Sequence, residues 1–163
     1  MATKKTGIET PEIQDISMTS ISKQKFRING DNRYIIELDV HDLGITSRLS
    51  DAYPKLVDAV KEAQQKVTSI DEASDEALMQ ISTTLVEIDK KMRDLIDYIF
   101  DSPVSAVCAP SGTLYDPVNG QFKFEIILSA LLGLYTANIN SEFKKMQDNV
   151  SKHTNKYTKK YHK

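Results

Sequence analysis

SDEALMQISTTLVEIDKKMRDLIDYIFD, residues 74–101, decides the fold. Leu78, Ile81, Leu85, Ile88, Met92, Leu95 and Ile99 recur at spacings of 3-4-3-4-3-4. That is the period of a single apolar stripe on an α-helix. Glu87, Asp89, Lys90, Lys91, Arg93 and Asp94 take the other face. Ser74 stands where an N-cap belongs, and Asp75 and Glu76 follow at the positive end of the helix dipole. A stripe this regular has to be covered, and a helix joined by a short break is the nearest cover.

The preceding segment supplies it. Leu49, Tyr53, Leu56, Val60, Ala63, Val67 and Ile70 are spaced 4-3-4-3-4-3, and Asp71–Ser74 form the break. Pro54 leaves two starts open for this helix: at the proline itself, or at a short first turn from about Ile45 that is kinked there. A third helix is expected from about Phe122 to Val150. Its main face carries Phe124, Ile127, Leu128, Leu131, Tyr135, Ile139, Phe143 and Met146. A second stripe of Ile126, Ala130, Gly133 and Ala137 lies behind it, small enough for another backbone to come close. A helix apolar on two sides is central in its fold or covered by a partner.

Ahead of the helices the period is two. Phe26 and Ile28 alternate with Lys25 and Arg27; after Asn29-Gly30-Asp31-Asn32, Tyr34, Ile36, Leu38 and Val40 alternate with Ile35, Glu37 and Asp39. Two alternating runs about an Asn-Gly turn predict a β-hairpin. A lone hairpin is barely stable, so its apolar face packs on the helices or on another subunit. The expected architecture is mainly α: a three-helix bundle-like domain over residues 23–150, opened by this hairpin. Residues 1–22 read as a flexible arm and 151–163, with five Lys and no acid, as a flexible basic tail.

The whole chain has 163 residues, 40% of them hydrophobic and 27% charged, with a net charge of −2, so no overall field points to nucleic acid. A single cysteine excludes an internal disulfide and fits a reducing compartment. The N-terminus carries no secretory h-region, and residues 126–141 fall short of the ~20 apolar residues of a spanning helix. The expectation is a soluble protein without a membrane partner.

No motif for catalysis stands out. Cys108 needs a neighbouring His to act as a nucleophile; two of the three His, His153 and His162, lie in the tail. Cys108 sits among Val104, Ala106, Val107 and Ala109, and reads as a small buried thiol. Asp39, His41 and Asp42 imitate a metal cluster, but on a strand end they point in different directions. No metal, cofactor or catalytic residue is therefore expected. The stretch 101–121 holds Pro103, Pro110, Pro117, Gly112 and Gly120. It reads as a compact connector: Ser102 caps a short helix begun by Pro103, then turns follow at Asp116-Pro117 and Asn119-Gly120. In the tail, Lys residues with Tyr157 and Tyr161 offer phosphate and stacking contacts, which give affinity without specificity.

The order of elements also resembles the small tail assembly chaperone-like proteins of long-tailed bacteriophages. The residues that carry the likeness are Ile28-Asn29-Gly30, Arg48 to Ala52, Asp97-Tyr98-Ile99-Phe100-Asp101, Gly112-Thr113 and the helix from Phe124, over about residues 24–148. The chain differs from that pattern in its longer arm, its basic tail and the DPVNG insertion. The resemblance implies a non-enzymatic protein of the host cytoplasm that self-associates. Such a protein coats the tape measure protein until tail tube subunits polymerise around it. Its expected partner surface here is Ile126, Ala130, Leu131, Gly133, Leu134, Tyr135, Ala137 and Phe143. Its expected self-association surface is Phe26, Ile28, Tyr34 and Ile36. The competing readings are a structural virion part, such as a tail or head–tail adaptor component, and a nucleic-acid-binding accessory protein that uses the tail.

Overall fold

The computed structural model describes residues 23–161, with side chains through Asn149. The expected N-terminal arm, residues 1–22, and the last two residues of the tail lie outside the described residues. The elements run β1 (Gln24–Arg27), β2 (Ile35–Leu38), α1 (Ile45–Thr68), α2 (Asp75–Phe100), α3 (Val104–Cys108), β3 (Pro117–Val118), β4 (Gln121–Phe122) and α4 (Lys123–Tyr161). The chain is mainly helical, with an antiparallel hairpin at its start.

In that hairpin Phe26 lies opposite Ile36 and Arg27 opposite Ile35. Asn29 and Gly30 take the left-handed conformation at φ 51° and 75°, as the Asn-Gly pair requires. The loop is wider than a two-residue turn: Ile28 N–H donates to the Tyr34 carbonyl at 2.9 Å across it. The alternation holds on β2 and its exit, where Ile36, Leu38 and Val40 are buried against the helices. Ile35 and Glu37 face outward.

α1 starts at Ile45 and runs through Pro54. The proline leaves the Ser50 carbonyl without an intrahelical donor, and Ser50 is exposed, so water is at hand. The buried face of α1 is rotated from the expected stripe. Ala52, Leu56, Ala59, Val60 and Ala63 are buried, while Tyr53, Val67 and Ile70 are exposed. Alanines let α2 approach closely, a role that counting large apolar residues overlooks.

α2 follows its stripe. Ile88, Met92, Ile96, Ile99 and Phe100 are buried in its second half, and Leu78, Ile81 and Leu85 are partly covered in its first. The Ser74 hydroxyl accepts from Ala77 N–H at 3.4 Å, the expected cap. Asp101 ends the helix at φ 47°, a left-handed C-cap from a non-glycine residue. Arg48 at the start of α1 donates from Nε to the Ile99 carbonyl at the end of α2, at 2.9 Å. The two helices are therefore antiparallel. The same guanidinium holds Asp42 at 2.6 Å, and Asp42 accepts from Gly44 N–H at 2.8 Å.

The connector differs in detail from its sequence reading. Pro103, not Ser102, is the residue flanking α3. The Ser102 hydroxyl instead donates to the Glu37 carbonyl at 2.7 Å, tying the connector to β2. Asn119 and Gly120, at φ 50° and 80°, turn a second, minimal hairpin, β3–β4. α4 then runs through the position where the sequence reading ends it. Residues 151–161, expected as a separate tail, continue the helix. No Gly or Pro stands between Asn149 and Tyr161 to stop it. Phe124, Ile127, Leu128, Leu131 and Tyr135 anchor α4 in the core. The Tyr135 ring meets Phe100 at a centroid distance of 6.0 Å.

Candidate functional site

The connector is anchored by one row of α2. Asp89, Arg93 and Asp97 recur every fourth residue and so share a face. Arg93 Nε donates to Asp89 Oδ2 at 2.7 Å. Its other nitrogens donate to the carbonyls of Ser105, Ala109 and Gly112 at 3.3, 3.0 and 2.9 Å. Asp89 Oδ1 accepts from Leu114 N–H at 2.6 Å, and Asp97 accepts from the amide and hydroxyl of Ser105 at 2.7 and 3.0 Å. In the sequence this row passes for a solvated charged face. In the structure it supplies partners to the Ala109 and Gly112 carbonyls and the Leu114 amide, which have no helix or sheet partner, and adds to the Ser105 carbonyl, which also accepts from Ala109 N–H at 2.9 Å.

A second knot closes the connector onto α4. Asp116 accepts from Thr113 N–H and from Lys123 Nζ, each at 3.0 Å, and from the Thr113 hydroxyl. Burial works against the Asp116 carboxylate, but these bonds outweigh it and lower its pKa. Phe122 N–H donates to Glu125 Oε2 at 2.9 Å, which serves the start of α4.

With the connector fixed, α3 and β1 stand on either side of the first turns of α4 and leave an apolar cleft of about 340 Å³. Phe26, Arg27, Ile28 and Asn29 form one wall, Cys108 contributes from α3, and Ile126, Ile127, Ala130, Leu131 and Leu134 form the floor. Residues expected on two separate surfaces thus share one site. Phe26 and Ile28 come from the expected self-association set; Ile126, Ala130, Leu131 and Leu134 come from the expected partner set.

The remaining candidates part company. Ile36 is buried in the core and offers no surface. Tyr34 is half-buried beneath Arg33, whose guanidinium lies 5.5 Å from its ring centroid. Tyr135 is buried as well, and burial pushes its phenol up to about 12. Phe143 is exposed but lies two turns further on, beside Leu43 and Met146. Gly133 and Ala137 are exposed on α4, outside the cleft lining. A Cβ added at Gly133 would meet nothing within 4 Å, so the chain's own packing does not call for glycine there.

Burial, and secondarily the Asp97 carboxylate, pushes the Cys108 thiol up to about 11. It is protonated at neutral pH and a poor nucleophile. Among the described residues no group of three or more His, Cys, Asp and Glu could hold a metal ion. Asp39 and His41 approach each other only at 4.0 Å, while Asp42 is committed to Arg48. No helix among the described residues is long and apolar enough to cross a membrane.

No protein-family model matches the chain, and no curated protein or solved structure does either.

Proposed function

We propose that this chain is a non-enzymatic binding protein that takes an amphipathic helical segment of a partner protein into the cleft between β1 and α4. The observation that carries the proposal is the convergence of Phe26, Ile28, Ile126, Ala130, Leu131 and Leu134 on one apolar cleft. An amphipathic helix in such a groove presents anchors at i, i+3, i+4 and i+7. Each large apolar anchor contributes about 2 kcal/mol on burial, and small floor residues such as Ala130 leave room for it. Many weak sites in succession give avidity while each stays easy to displace.

The resemblance to tail assembly chaperone-like proteins makes the tape measure protein of a long-tailed bacteriophage the proposed partner. The chain then acts as a tail assembly chaperone in the host cytoplasm, keeping that long helical protein soluble until tail tube subunits replace it. The test is affinity capture of the tagged full chain from phage-producing cells, beside an Ala130→Arg variant that fills the cleft with charge. The reading expects wild type to retain a very long helical protein together with tail tube subunits, and the variant to lose both. Capture of connector or capsid proteins alone, with the chain present in finished particles, supports the virion-component reading instead.

A further inference from the structure

The β1–α4 cleft reaches the edge of a strand. Phe26 and Arg27 lie on opposite faces of β1, yet both line the cleft, so it opens along the backbone between those faces. That edge has no partner among the described residues, where β1 pairs with β2 alone. Ile28 N–H donates to the Tyr34 carbonyl at 2.9 Å, so Ile28, Phe26 and Gln24 turn their backbone groups toward β2. Lys25 and Arg27 turn theirs outward. The hairpin's other edge is partly taken, because the Glu37 carbonyl on β2 accepts from the Ser102 hydroxyl.

Arg27 also stands without a carboxylate. Arg33, Arg48 and Arg93 each hold an aspartate, at 2.7, 2.6 and 2.7 Å, whereas Arg27 has no acid partner among the described residues. The sequence that leads into β1 supplies what both features lack. From Gly7 to Ser22 it carries Glu9, Glu12 and Asp15 and no base. Within it, Asp15-Ile16-Ser17-Met18-Thr19 alternates polar and apolar residues, as an edge-pairing strand does.

We infer that residues 15–18 of the chain's own N-terminal arm add to β1 as a third, antiparallel strand and cover the cleft. One register meets every requirement. Asp15 opposite Arg27 joins opposite charges across the strands. Ser17 then lies opposite Lys25, so Asp15 and Ser17 meet the outward backbone groups of β1. Ile16 lies opposite Phe26 and Met18 opposite Gln24, which puts both apolar side chains on the Phe26 face, over the cleft. Thr19–Lys23 remains as a five-residue loop, a common hairpin length. So short a tether holds the strand at a high effective concentration. A partner's helix enters by displacing it; that consequence rests on the function proposed above, and the strand itself does not.

Hydrogen exchange on the full chain, with no partner present, tests it. In wild type the Lys25 and Arg27 amides are expected to exchange about tenfold or more slowly than unpaired amides do. Ser17→Pro removes the amide that faces Lys25 and is expected to abolish that protection, while the Ile28 amide, bonded to Tyr34, keeps its own. Arg27→Asp is expected to lose the protection at Lys25, and Arg27→Asp with Asp15→Arg to recover it. Unprotected Lys25 and Arg27 amides in wild type, or protection that survives Ser17→Pro, overturn the inference. Protection that grows with protein concentration assigns the edge to a second copy and overturns it as well. A Ser17→Pro chain that loses protection yet captures no helical protein from phage-producing cells supports the strand and contradicts the proposed function.

Discussion

Arg93 Nε meets Asp89 Oδ2 at 2.7 Å, with the two side chains only 23% and 16% exposed, so an i,i+4 pair on α2 lies beneath the connector and not in solvent. That placement turns an ordinary helix ion pair into the support of the segment from Ser105 to Leu114. Removing Arg93 strands the Ala109 and Gly112 carbonyls and leaves Asp89 without its countercharge.

Arg93→Leu is therefore expected to destabilise the chain by about 2–4 kcal/mol, well above the value of an exposed pair. Arg93→Lys is expected to recover only part, because one ammonium cannot reproduce the fork that reaches Ser105, Ala109 and Gly112. Urea midpoints of the two variants and wild type check the order.

Two glycines should respond with opposite signs. Gly112 stands at φ +71°, and a Cβ there would meet Asp116 Oδ2 at 2.3 Å and Lys123 Nζ at 2.7 Å. Gly112→Ala is expected to cost about 1–3 kcal/mol. Gly133 is helical with open space around it, and Gly133→Ala is expected to stabilise by about 0.5–1 kcal/mol. Thermal melts of both variants decide the pair; a loss at Gly133 would mean that its surroundings are not open.

Asp42 gives the chain an acid limit. The Arg48 bond holds its carboxyl below the ordinary aspartate value of 3.8, against a smaller burial penalty. A carboxylate depressed in the folded state contributes stability above its unfolded pKa and loses it as pH falls through the lower folded value. The stability curve is therefore expected to fall below about pH 4, and Asp42→Asn to flatten that fall while lowering stability at neutral pH. Denaturant midpoints from pH 2 to 7 measure it.

Cys108 has the opposite sign. Its thiol pKa rises from 9.0 to about 11 in the fold, so its contribution is full below pH 9 and is lost as pH rises toward 11. At pH 8 the native thiol is expected to react with a disulfide reagent far more slowly than in urea. Equal rates in the two states would place Cys108 outside the half-buried site described above.

Much of this arrangement was legible in the sequence, and the reasons for the remainder are physical. Period-2 and period-3.6 patterns located the hairpin and the three long helices because one-sided burial leaves a direct trace. The Ser74 cap and the Asn29-Gly30 turn were legible because each position has a narrow chemistry. The buried face of α1 keeps Leu56, Val60 and Ala63 of the expected stripe but is rotated toward Ala52 and Ala59, which pack closely without announcing themselves as large residues do. The Asp89–Arg93–Asp97 row was hidden because charged residues at helical spacing look the same under water or under a loop. The cleft was legible only in halves. Ile126 and Ala130 marked one surface and Phe26 and Ile28 another, and no local pattern states that α3 and the connector bring them together. The length of α4 was underestimated because a lysine-rich composition was weighed above the absence of helix-breaking residues.

The central claim is that the β1–α4 cleft holds a partner's helix. The most direct measurement places a photo-crosslinking amino acid at Ala130 of the full chain in phage-producing cells, with the same substitution at exposed Ser82 of α2 as the control. The account predicts an adduct to one long helical protein from position 130, mapped to an amphipathic segment, and none from position 82. No adduct at 130, or equal labelling from both positions, would contradict it.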